Sequence, residues 1–179
     1  DGIILDGDGS NLTVFYMEKM VTLNARKMTV QKGGANGVNG GGIYAGYGCS
    51  IYLTDCIVKN CSAEFGGGIY IAGSGTSTSE LEITNTKILK NSARDSGGGI
   101  YIGEDALVGL YENSQVHASN DIYLANTVTA DNKNYGLTLN GALSENILVS
   151  FSKTYEDIVE NSYFVAHCLS PEYAEANES

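Results

Sequence analysis

Apolar and polar residues alternate along this chain in short runs with a period of two. Residues 43–45 read Ile-Tyr-Ala, 51–53 Ile-Tyr-Leu, 69–71 Ile-Tyr-Ile, 81–83 Leu-Glu-Ile, 100–102 Ile-Tyr-Ile and 122–124 Ile-Tyr-Leu. Spacing of i, i+2 puts the apolar members on one face of a strand. An amphipathic helix would need a period of 3.6. Glycine or small polar residues bound each run, so the pattern predicts many short strands separated by tight turns.

Several of these runs belong to a recurring phrase. Gly-Gly-Gly-Ile-Tyr stands at 40–44, 66–70 and 97–101, and a worn copy, Ser-Asn-Asp-Ile-Tyr, at 119–123. Its isoleucines are Ile43, Ile69, Ile100 and Ile122, at intervals of 26, 31 and 22 residues. Units this short cannot bury a core alone and must stack on their neighbours, so the chain reads as a solenoid.

Laid over one another, the units hold three β-prone segments each. The first is 43–45, 69–71, 100–102 and 122–124. The second is 51–53, 81–83 and 108–110, with 21–23 as a forerunner, and the third is 57–58, 88–89 and Val116. Equivalent segments meet one period later in the same direction, which makes parallel sheets wound into a coil. The expected fold is therefore all-β, a parallel β-helix of roughly five to six coils and three faces. Residues 1–125 hold the coils, and 126–179 read as a degenerate last coil or cap ending in an acidic tail. Strand candidates continue at 137–140 and 147–151, and residues 74–79 are expected to bulge from a corner.

Inward ladders follow: Ile43, Ile69, Ile100 and Ile122 in one, Ile51, Leu81 and Val108 in another. Burying each such side chain contributes about 1.5–3 kcal/mol. The glycine triplet is placed at a corner with no room for Cβ. Asn60 and Asn91 each close an Ile-x-x-Asn segment and are expected to share the next corner, where amides satisfy turn backbone.

Composition narrows the class. Twenty-three glycines against one proline mark recurrent turns rather than a disordered or collagen-like chain. Ten basic against 21 acidic residues give a net charge of −11, which disfavours nucleic acid as a partner. No run of 18 apolar residues exists, so no membrane span is expected. The opening Asp1-Gly2-Ile3 reads as an excised fragment of a longer chain, with any signal or anchor outside it.

Cys49, Cys56 and Cys61 cluster in one unit and Cys168 stands apart, with no C-x-x-C pair. His117 and His167 are distant, so no metal site and no cofactor is expected. Cys56 and Cys61 are spaced to permit a local disulfide in an oxidising compartment, but read first as small buried side chains inside a coil. The acidic Asp-Gly-Asp-Gly-Ser-Asn at 6–11 lacks the glycine and glutamate an EF-hand requires at its sixth and twelfth positions, and reads as a turn.

The run Thr-Asn-Thr-Lys-Ile-Leu-Lys-Asn-Ser-Ala at 84–93, continuing to the glycine triplet at 97–99, resembles the chlamydial polymorphic outer membrane protein repeat. That repeat pairs an F-x-x-N segment with a following G-G-A-(I/L/V). Here Ile57-x-x-Asn60 and Ile88-x-x-Asn91 stand for the first half, isoleucine replacing phenylalanine. The triplets stand for the second, glycine replacing alanine. The resemblance covers about residues 40–125. It implies a right-handed, pectin-lyase-like β-helix, secreted or displayed at the cell surface, acting as an adhesin or adhesin stalk toward a host or matrix glycan or surface protein.

Tyr44, Tyr70, Tyr101 and Tyr123 each follow an inward isoleucine, so alternation sends them outward on one face. A hydroxyl-fringed aromatic stripe suits sugars or a protein partner, and it can equally serve only to stabilise the parallel ladder. These four are the candidate binding residues, and no catalytic residue is assigned. A polysaccharide lyase or glycoside hydrolase on the same fold is the alternative. Against it, Asp55 and Glu82 point outward without the gathered carboxylates hydrolysis needs, and Lys90 and Arg94 are isolated. A plain structural spacer is the third reading.

Overall fold

A computed structural model describes residues 2–34, 37–117, 121–125, 136–140, 149–151 and 166–168. Among them there is no helix, and every strand-to-strand ladder is parallel. The chain winds as a β-solenoid, a parallel β-helix.

Three stacked sheets form its sides. The tyrosine face holds β2 (Phe15–Met17), β5 (Ile43–Ala45), β9 (Ile69–Ile71), β13 (Ile100–Ile102), β16 (Ile122–Leu124) and β18 (Val149–Phe151). The long face holds β3 (Thr22–Arg26), β6 (Ser50–Thr54), β10 (Ser79–Thr84), β14 (Ala106–Tyr111), β17 (Gly136–Asn140) and β19 (Ala166–Cys168). The short face holds β1 (Ile3–Asp6), β4 (Met28–Gln31), β7 (Ile57–Lys59), β11 (Lys87–Leu89) and β15 (Gln115–Val116). The expected three faces gain a fourth in two coils, where β8 (Ser62–Phe65) pairs with β12 (Ser92–Ser96) through a register shift. The acidic tail expected after 170 lies outside the described residues, as does the segment at 152–165.

Inward ladders build the core as alternation requires. Ile43 pairs with Ile69, Ile69 with Ile100 and Ile100 with Ile122, all fully buried. Leu23, Ile51, Leu81, Val108 and Leu137 run parallel to them inside the long face. Outward on that face, the Tyr111 ring lies over Gly109, where a Cβ would stand 2.5 Å from the ring. The aromatic ring thus covers bare backbone on the outward face of β14.

On the short face the register corrects the sequence reading. Ile88 pairs with Val58, not Ile57, and Ile57 pairs with Lys87. A one-residue shift exchanges the two faces of a strand, so Val58 and Ile88 are buried while Ile57 lies half out. The correction carries through the corner. Asn60 is exposed with φ 53°, whereas Asn91 is buried and thirty residues on from Cys61. The two asparagines do not share a position.

Corners are held by small polar groups in a recurring way. Cys49, Cys56 and Cys61 occupy three successive corners of one coil, all buried and unbridged. One coil on, at intervals of thirty residues, Ser79, Thr86 and Asn91 offer side-chain acceptors to their backbone N–H groups, at 3.4, 3.0 and 3.0 Å. Burial lifts the Cys61 thiol to about 11, so it is an inert proton-bearing group there. The glycine triplets open with φ of +69°, +64° and +69° at Gly40, Gly66 and Gly97, the left-handed turn that glycine permits. In the worn copy, Asp121 replaces a glycine, and its carboxylate accepts the Gly98 N–H at 2.6 Å.

The first described coil carries exposed apolar side chains. Ile3, Ile4, Leu12, Tyr16 and Met20 are each more than 60% exposed. One coil further in, the core is closed: Ile43 and Ile51 are wholly buried.

Candidate functional site

The tyrosine face carries a continuous stack of rings. Tyr44, Tyr70, Tyr101 and Tyr123 fall opposite one another in β5, β9, β13 and β16, because each follows the paired inward isoleucine. Their centroids are separated by 5.3, 5.0 and 5.2 Å, with interplanar angles of 4°, 9° and 24°. A fifth ring extends the stack. Tyr16 in β2 lies 4.7 Å from Tyr44 at 7°, and the sequence reading missed it because Phe15, not a glycine triplet with isoleucine, precedes it. The recoverable pattern was apolar-Tyr-apolar, 28 residues before Tyr44.

Stacking at this spacing decides what the stripe can offer. Ring faces inside the row are covered by neighbouring rings, so a ligand alongside meets ring edges and hydroxyls. Only a terminal ring such as Tyr16 has an uncovered face, and it is 65% exposed. Tyr44, Tyr70 and Tyr101 are half-buried. Burial first, and then the neighbouring tyrosines, raise their hydroxyls above the ordinary value of 10.0. At neutral pH these three are therefore neutral donor-acceptor groups repeated at strand spacing. Phe65 closes against the Tyr101 ring edge-on, with centroids 5.3 Å apart, and Asn39 hydrogen-bonds the Tyr70 hydroxyl.

Among the described residues, two shallow grooves lie beside the row. One, of about 210 Å³, is lined by Tyr16, Tyr44, Gly37, Val38 and Asn39. The other, of about 450 Å³, lies where the tyrosine face turns into the long face, among Tyr70, Tyr101, Gly73, Gly103, Glu104 and the alanines beside them. Asn39 and Glu104 come from corners, not strands, and no strand pattern points to them.

Compared with protein-family models, with curated proteins and with solved structures, the chain matches none.

Residues relevant to the enzymatic alternative lie elsewhere. Asp55 sits at a corner with φ 55°, 3.8 Å from Arg26 and accepting a 2.7 Å hydrogen bond from the Asn85 amide. Glu80 and Glu82 alternate outward on β10, and neither lines either groove. Among the described residues, no three His, Cys, Asp or Glu side chains converge on one point, and no helix is long and apolar enough to cross a membrane.

Proposed function

We propose that this chain is a non-catalytic β-helix of the cell surface or extracellular space that holds an extended glycan or protein ligand along its tyrosine face. The carrying observation is the five-membered row of tyrosines in register, hydroxyl edges outward, with two grooves beside it. A ligand with regularly repeating polar groups would meet the same hydrogen-bonding group at each coil, which favours a polymer laid along the solenoid axis. The resemblance to polymorphic outer membrane protein repeats supports display outside the cell and an adhesive role.

The stack itself favours a second reading, a structural spacer whose tyrosines serve only the ladder. Replacing Tyr44, Tyr70, Tyr101 and Tyr123 together with phenylalanine separates the two. The rings stay stacked and the hydroxyl row is lost. Glycan arrays and immobilised matrix proteins should retain wild type and release the phenylalanine variant. Equal retention of both removes the hydroxyl row as the contact, and silence of wild type across the panel leaves the spacer. Reducing ends or unsaturated products after incubation with polysaccharides would instead establish an enzyme.

A further inference from the structure

We infer that the groove between Tyr70, Tyr101 and Glu104 is a subsite for a neutral sugar unit of an extended glycan. This rests on the tyrosine-face reading and names its ligand class. The groove lies at the C-terminal ends of β9 and β13, where the chain turns toward the long face. Its floor is held by backbone: Gly73 N–H donates to the Glu104 carbonyl at 2.6 Å, and Gly103 N–H to the Ile71 carbonyl at 2.7 Å. Both glycines are fixed by packing. A Cβ on Gly103 would stand 2.7 Å from that of Ala72, and one on Gly73 would meet the Asp105 backbone. The result is a low floor of glycine and alanine beneath two tyrosine edges, with an exposed carboxylate at the rim. At about 450 Å³ the volume falls in the range of small-ligand sites.

The chemistry of the rim selects the ligand. An ionised carboxylate only accepts hydrogen bonds, has room for several, and makes strong ones with hydroxyl donors. Neighbouring sugar hydroxyls supply such donors, and tyrosine hydroxyls can answer as donor or acceptor. Among the described residues, no large aliphatic side chain lines the groove to form the apolar pocket a peptide anchor needs. Uronates and sulfated sugars would bring negative charge to Glu104 on a chain of net charge −11. An equatorially linked neutral glycan, which advances per sugar by a distance close to the strand spacing, would pass from the Tyr70 coil to the Tyr101 coil in step.

The test is calorimetric titration of the full chain with β-1,4-linked neutral oligosaccharides, with uronic acid oligomers of equal length and with a lysine-rich peptide. Wild type should bind the neutral oligomers in preference to both others. Glu104→Gln, at an exposed position, should fold like wild type by circular dichroism and bind the neutral oligomer about tenfold to a hundredfold more weakly, since it removes a charge-assisted acceptor. Unchanged affinity in Glu104→Gln overturns the subsite. If the four-phenylalanine variant alone loses affinity, the tyrosine face survives without the subsite. If neither variant changes affinity, both readings fall. Uronate binding as tight as neutral binding, capture of the peptide in place of sugar, or no neutral oligomer bound at all would each overturn the inference.

Discussion

Asn91 turns its side-chain amide back onto the coil before it: Oδ1 accepts the Cys61 N–H and Nδ2 donates to the Val58 carbonyl, both at 3.0 Å. One buried side chain thereby satisfies two buried backbone groups of another coil at a corner where the sheet ladder is interrupted. Asn91→Ala leaves both without that partner and should lower stability by about 1–3 kcal/mol. Asn60, four residues from its own coil's Cys56, is exposed and left-handed, so Asn60→Gly should change stability by no more than about 0.5 kcal/mol. Urea unfolding of the two variants checks the contrast. Equal losses would mean that the two asparagines do equivalent work after all.

The third glycine of a triplet is packed against this same amide. A Cβ on Gly68 would lie 2.6 Å from the Gly99 carbonyl oxygen and 2.8 Å from Asn91 Nδ2. Gly68→Ala must therefore spread two coils or displace the amide, at a cost of about 1–3 kcal/mol. Gly75, in the turn closed by the Ser74–Ser77 bridge, has nothing within 4 Å of its Cβ position. Gly75→Ala should leave the thermal midpoint near that of wild type. A midpoint that falls as far as that of Gly68→Ala would contradict the packing argument.

These contacts also show what was legible in the sequence. The tyrosine face and the inward isoleucine ladders were, because Ile-Tyr-Ile alternates cleanly after an unmistakable glycine triplet. The short face was not. Ile57 and Val58 are both apolar, so alternation cannot say which points inward. The register there is fixed by the thirty-residue pairs Cys56 with Thr86 and Cys61 with Asn91, whose members share no obvious chemistry. Corners were partly hidden too. Lys27, Lys32 and Lys90 hold φ near +50°, although lysine is no turn marker. β8 and β12 carry too few apolar residues to announce a fourth face. Of the candidate site, Tyr44, Tyr70, Tyr101 and Tyr123 could be read, but Tyr16 lacks the triplet, and Glu104 is brought to the groove only by the winding of the chain.

The pH dependence of the fold has two limbs. Asp6 is held at about 2, against an ordinary 3.8, chiefly by hydrogen bonds from Gln31 and Lys32 and by the Asp8 N–H. A lowered carboxyl stabilises the folded state above its unfolded value and loses that contribution as pH falls through 3.8 toward 2. Tyr44, Tyr70 and Tyr101 are raised, so their contribution is complete below 10.0 and is lost as pH climbs past it. Thermal midpoints should thus be flat across neutral pH and fall at both ends. Tyrosinate absorbance should show a late-titrating set that Tyr70→Phe reduces. A single tyrosine transition at the ordinary value would remove the alkaline limb.

Within the ladder, position should set the cost of losing a ring. Tyr70 is stacked on both sides, by Tyr44 and Tyr101, whereas Tyr16 is stacked only by Tyr44. Each aromatic pair contributes about 0.5–1.5 kcal/mol beyond the area it buries. Tyr70→Ala should therefore lose about 1–3 kcal/mol in stacking, with the burial of a half-covered ring in addition. Tyr16→Ala should lose about half the stacking and little burial. Tyr70→Phe keeps both stacks and forgoes only the hydrogen bond with Asn39, a loss of about 0.5–1.5 kcal/mol. Denaturant midpoints at constant slope would rank the three as Tyr70→Ala lowest, with the other two between it and wild type. If Tyr16→Ala is as damaging as Tyr70→Ala, the rings are not acting as independent neighbouring pairs. The row would then have to be treated as one cooperative element running the length of the face.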